Sequence, residues 1–77
     1  MELKEFIENF ANQFDDTDAS VFTADTKFHD LDEWSSVMVL SIIGMVDEEY
    51  DVQLDPDNLN QATTVKELFD FISSQKG

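Results

Sequence analysis

Cysteine is absent from this 77-residue chain, so its own side chains can build no disulfide, no thiolate nucleophile and no zinc–sulfur site. Bases are nearly as scarce. Four lysines and no arginine stand against 18 acidic residues, a formal net charge of -14. Nucleic acids and anionic membrane surfaces are polyanions, so that balance excludes both as partners and favours basic proteins or divalent cations. No apolar run approaches the ~18 residues of a membrane span. The opening Met1-Glu2-Leu3-Lys4-Glu5-Phe6 lacks a basic segment followed by an apolar one, so no secretory leader is expected. A soluble, cytoplasmic, monomeric domain over residues 1–77 is the expectation.

Hydrophobic residues make up 42% of the chain and include seven phenylalanines and one tryptophan, enough for a core and against disorder. A domain this short buries only about 60% of the surface its unfolded chain exposes. Leu3, Phe6, Ile7, Phe10 and Phe14 recur at helical spacing, with Glu2, Glu5, Glu8 and Asn9 opposite. The cluster Asp15-Asp16-Thr17-Asp18 ends that helix, because acids oppose the dipole at a helix C-terminus. Residues 15–34 show no helical period; Val21, Phe22, Phe28, Leu31 and Trp34 are expected to pin this long connection to the core. A second helix runs over 36–50 with Val39, Ile42, Ile43, Val46 and Tyr50 facing inward. Asp55 caps a short helix that Pro56 opens. A last helix begins at Thr64 with a capping box to Glu67 and an inward stripe of Val65, Leu68, Phe69 and Ile72. Nothing alternates with period two. The fold class is all-α: a small four-helix bundle of three longer helices and one short one, with a long first loop.

The second helix carries more than its core stripe. At 100° per residue its other side presents Ser36, Val37, Leu40, Ser41, Gly44, Asp47 and Glu48. Gly44 is a poor helix former, and Asp47, Glu48, Glu49 and Asp51 oppose the dipole at a few tenths of a kcal/mol each. One reading is a face that recognises a basic partner. The other is a solvated acidic face, with Val37 and Leu40 packed under the loop. Ser35 and Ser36 open the helix, and two readings stand there too. A serine at this place caps the first turn, or its hydroxyl is esterified by a phosphate that the helix N-terminus favours.

Leu31-Asp32-Glu33-Trp34-Ser35-Ser36-Val37, the run Val39 to Val46, and Asp47-Glu48-Glu49-Tyr50-Asp51-Val52 together resemble the acyl carrier protein family. Asp55-Pro56 and Ala62-Thr63-Thr64-Val65 extend the likeness over almost the whole chain. The resemblance implies a four-helix bundle that carries a covalent 4'-phosphopantetheine arm on Ser36, by register from Glu48-Glu49-Tyr50. Ser35 is the adjacent, less favoured candidate. It stands where the family has Asp, and Val37 stands where the family has Leu. What is implied is a carrier and not an enzyme, with acyl groups held as thioesters on the arm. Its partners would be a phosphopantetheinyl transferase and the acyl-transferring or condensing enzymes of fatty-acid, polyketide or related biosynthesis. Val37, Leu40 and Gly44 would offer them an apolar contact, and Asp47 and Glu48 would meet their basic docking patches. The alternative is an interaction domain of the same fold that is never modified.

Two further chemistries find little support. His29, the only histidine, lies in the loop with no oxyanion signature or nucleophile elbow near it, and is expected to be solvent-exposed. Asp51, Asp55, Asp57 and Asn58 have the composition of a calcium loop, but the segment lacks the required Gly and Pro56 interrupts it. No metal site is expected.

Overall fold

The computed structural model describes residues 2–76, and among them every regular element is helical. Helix α1 spans Leu3–Ala11, α2 Ser36–Tyr50, α3 Pro56–Gln61 and α4 Val65–Lys76. Short 3-10 turns at Ala19–Val21 and Phe28–Asp30 punctuate the long first loop. The small helical bundle expected from the apolar periods is therefore the fold. None of these helices is long and apolar enough to cross a membrane.

α1 stops a turn before its apolar period does. The Gln13 and Phe14 amides donate to the carbonyls of Phe10 and Ala11 at 3.2 and 3.0 Å, a tightening that exhausts the helix ahead of Asp15 and Asp16. Phe14 stays buried beyond the helix end. Phe10 is the hub of the core. Its ring lies 6.1 Å from Phe6, 5.5 Å from Phe14, 5.9 Å from Phe22 and 5.4 Å from Phe28. Each buried Phe stabilises the fold by about 1.5–3 kcal/mol through area alone, and tilted ring pairs add about 0.5–1.5 kcal/mol.

The loop is pinned mostly as expected, with one exception. Phe22 and Phe28 are buried, and Leu31 and Trp34 pack against the core from partly buried positions. Val21 is 46% exposed and pins nothing. In a turn of three residues per revolution, neighbouring side chains diverge by about 120°, so only one of Val21 and Phe22 can face inward. The loop also reaches α4: the Val65 and Lys66 amides donate to the carbonyls of Thr26 and Ala24 at 3.1 and 3.0 Å. Two free N–H groups at the start of α4 are thereby satisfied.

α2 buries Met38, Ile42, Met45, Val46 and Tyr50, whereas Val39 and Ile43 are only half-buried. The inward face is rotated from the one expected, toward the two methionines. α2 packs between α1 and α3, and six-residue α3, about 9 Å long, cannot cover a helix of about 22 Å. Val39 and Ile43 are the residues that lose by it.

Local capping follows the expected pattern closely. Asp55 Oδ1 accepts from the Asn58 amide at 3.0 Å and Asn58 Oδ1 accepts from the Asp55 amide at 2.9 Å, with Pro56 in the first turn of α3. At α4, Thr64 Oγ1 accepts from the Glu67 amide at 3.2 Å; its hydroxyl faces Glu67 Oε2 at 3.4 Å, so only half of the expected box forms. α2 ends on Tyr50, whose hydroxyl accepts from Asn9 Nδ2 at 2.9 Å and whose carbonyl accepts from Lys76 Nζ at 2.8 Å.

Asp51 follows in the left-handed region at φ 57, ψ 38, its amide donating to the Asp47 carbonyl at 3.1 Å. A side chain is strained there, and a carboxylate also opposes the dipole. Asp51→Gly should therefore stabilise the fold by about 1 kcal/mol, read as a rise in Tm of roughly 4–8 °C.

Candidate functional site

Ser35 and Ser36 sit where the loop enters α2. Ser35 is the N-cap, extended at φ -157 and ψ 176, yet its side chain makes no capping hydrogen bond. Ser36 is the first helical residue, and both serines are exposed. The first bond of the helix runs from the Val39 amide to the Ser35 carbonyl at 3.0 Å. The amides of Ser36, Val37 and Met38 come before it and have no protein partner among the described residues, so the positive end of the dipole is open to solvent. Neither serine therefore caps the first turn through its side chain.

A shallow groove of ≈ 480 Å³ opens beside Ser36, with Trp34, Val39 and Leu40 on one side and Pro56 and Asn60 of α3 on the other. Its walls are held by residues outside it. The Trp34 ring lies 4.9 Å from Phe28 and meets His29 edge-on at 5.4 Å. His29 is half-buried, contrary to the exposed loop position expected for it. Its Nε2 lies 3.0 Å from the Leu59 carbonyl and 2.9 Å from the Ala62 carbonyl. Carbonyls only accept, so Nε2 carries a proton and donates to both, tying the loop to the C-terminal end of α3. The reason is packing: the ring lies tilted against Phe28 at 4.4 Å and faces inward, where the last-turn carbonyls of α3 need a donor.

Glu33 holds the other end of this segment. One carboxylate oxygen accepts from the Asp15 amide at 3.0 Å; the other accepts from the Asp16 amide at 3.1 Å and the Thr17 hydroxyl at 2.8 Å. Burial alone would raise its pKa, but the bonds from Thr17 and the two amides outweigh it and hold the carboxyl below its usual value. A single carboxylate thus fastens the residues ahead of Trp34-Ser35-Ser36 to the chain leaving α1.

The outer face of α2 is open along its length. Val37 is 69% and Leu40 67% exposed, so neither lies under the loop. Gly44, Asp47 and Glu48 are exposed as well. Ser36 and Leu40 line the α3-side groove; Leu40, Gly44 and Glu48 line a second groove shared with α1; Val37 and Asp47 stand on the ridge and line neither. Pro56 and Asn60 were not evident as site residues. The Asp55-Pro56 cap marks where α3 begins, but no periodicity says that it lies beside Ser36. Asp55 and Asn58, half of the weak calcium-like set, are engaged in capping each other. No metal-holding group of three or more His, Asp or Glu exists among the described residues.

Residues 5–72, from the first turn of α1 into α4, match the family model described as phosphopantetheine attachment site. The chain belongs to the phosphopantetheine attachment site family. No curated protein and no solved structure matches it. Members of the family generally hold phosphopantetheine covalently and serve as carriers that interact with enzymes. The residues present fit such a group: an exposed serine hydroxyl without an intramolecular bond, unpaired amides beside it for a phosphate, and an open groove leading away.

A carboxyl with a lower pKa folded than unfolded stabilises the fold while ionised, and loses that contribution as pH falls through its folded value. Glu33→Gln should therefore lower Tm at pH 7. The gap to wild type should close as pH drops below 4.5, the carboxyl's ordinary value. Parallel thermal melts from pH 7 to pH 3 test this, and a gap that persists in acid would show that ionisation is not its source.

Proposed function

We propose that the chain is an acyl carrier protein of biosynthetic metabolism, with its 4'-phosphopantetheine arm esterified to Ser36. The observation that carries this reading is the exposed, unbonded Ser36 hydroxyl at an uncapped helix N-terminus, in a chain of the attachment-site family. Ser36 is favoured over Ser35 because it occupies the first helical position, beside the free amides that attract a phosphate. The arm, once attached, supplies a terminal thiol on which acyl groups are held as thioesters. In a cytoplasmic protein without cysteine, that thiol is the chain's only one.

The protein's own part is to be found and released. Val37 and Leu40 offer a small apolar contact to the transferase and to acyl-transferring or condensing enzymes. Asp47 and Glu48 meet lysines or arginines on those partners, because no base among the described residues neutralises them: the one ion pair there joins Lys66 to Asp70. Exposed charge of this kind speeds encounter more than it tightens binding, which suits a shuttle. Fatty-acid, polyketide and related pathways all fit this chemistry.

Incubation with a phosphopantetheinyl transferase and coenzyme A, followed by intact mass, tests the assignment. Wild type and Ser35→Ala should gain one phosphopantetheine and Ser36→Ala none. No gain on wild type, where a known carrier is loaded in parallel, would leave the unmodified interaction domain as the better reading. A reversed serine pattern would move the attachment point to Ser35. For the acidic end, Asp47→Lys with Glu48→Lys should slow loading by about tenfold at low salt. Circular dichroism should show unchanged helix content; equal rates would remove these acids from docking.

A further inference from the structure

An alkyl chain held near Ser36 would leave water for the bundle interior if a way in stood open, because each buried methylene is favourable. Trp34 stands in that way. It lines the groove beside Ser36 and is only partly exposed, its other side packed against the core. The indole lies 4.9 Å from Phe28, stacks on Phe14 at 6.3 Å and meets His29 edge-on at 5.4 Å. Phe28 in turn lies 5.4 Å from Phe10, and both are fully buried. Rings at these separations pack against one another and leave no path a methylene wide.

The crevice between α2 and α3 is closed too. The two helices pack together, with Ile42 of α2 and Leu59 of α3 fully buried in the core. His29 Nε2, bonded to the Leu59 and Ala62 carbonyls at 3.0 and 2.9 Å, ties the C-terminal end of α3 to the loop. α3 cannot draw away from the loop without leaving that N–H and both carbonyls unpaired. What stays open is the outer trough of ≈ 480 Å³, and its rim is partly polar. Asn60, exposed on the side of α3, presents a carboxamide that both donates and accepts.

We infer that the core of this carrier is closed to its cargo, with Trp34 as the plug, and that Ser36 serves a short or polar acyl group rather than a long alkyl chain. The inference rests on the carrier reading above. A long chain would stay in water here. A short one has little apolar surface to hide, and hydroxyl or amino groups on the cargo keep their hydration in an open trough.

Loading Ser36 from acetyl-, hexanoyl- and decanoyl-coenzyme A with a phosphopantetheinyl transferase gives a series in which only chain length changes. Two readouts then move in opposite senses. A chain buried in the fold raises Tm as it lengthens and stays hidden from a hydrophobic-interaction column. A chain left outside leaves Tm alone and is retained more strongly. Wild type should hold Tm within about 2 °C across the series while retention grows with length. A rise of roughly 4–8 °C from the acetyl to the decanoyl form, or retention that ignores chain length, would overturn the closed core and leave the carrier reading intact.

Trp34→Ala removes the plug. Its decanoyl form should melt roughly 4–8 °C above its acetyl form, the chain filling the space the indole left. Trp34→Leu, which keeps more of the packing, should gain part of that rise. No gain in either variant would overturn Trp34 as the plug, and if neither folds the wild-type series decides alone. If wild type accepts no phosphopantetheine even from coenzyme A itself, the inference falls together with the carrier reading.

Discussion

Phe10 is the residue on which the molecule depends. The chain has no covalent staple, and its net charge of -14 pushes its parts away from one another. What opposes that repulsion is apolar burial, and the burial is concentrated where α1 meets the loop. The ring of Phe10 touches two aromatics of its own end of the chain, Phe6 and Phe14, and two from the loop, Phe22 and Phe28. Without that junction the segment before α2 would have little but isolated hydrogen bonds to order it. Phe28 in turn carries Trp34 and His29, and these shape the groove at Ser36. The placement of the serine thus traces back through three ring contacts to α1.

Much of this was legible from sequence because it is local. Caps at Asp55 and Thr64 require residues only three apart, and the extent of α2 follows from an apolar period ending at Tyr50. What escaped is non-local. Glu33 looked like one more acid among many, yet it is the carboxylate that binds the Asp15–Thr17 turn. His29 looked like a surface residue, because nothing around it announces two carbonyls thirty or more positions away. On α2, Ile42, Val46 and Tyr50 are buried as expected, but Met38 and Met45 take the fully buried places expected for Val39 and Ile43. β-branched residues look more core-like than methionine, but how far a neighbouring helix extends decides which side is covered.

The outer face of α2 departs from what stability alone would select. Its first turn lacks a side-chain cap, its middle holds a glycine with open space around it, and its last turn gathers acids against the dipole. Each departure is small, a kcal/mol or less on typical magnitudes. All lie on the same exposed side or at the ends of the same helix, while α3 and α4 have side-chain caps. α1 too lacks a side-chain cap, but only α2 combines all three departures, the pattern expected when recognition and folding place different demands on one element.

The bonds from Val65 and Lys66 to the carbonyls of Thr26 and Ala24 join residues about forty positions apart. They bind the middle of the loop to the start of the last helix. The loop ahead of Ser36 is therefore fully held only when α4 is in place, and a chain cut before Val65 loses two of the bonds that order it.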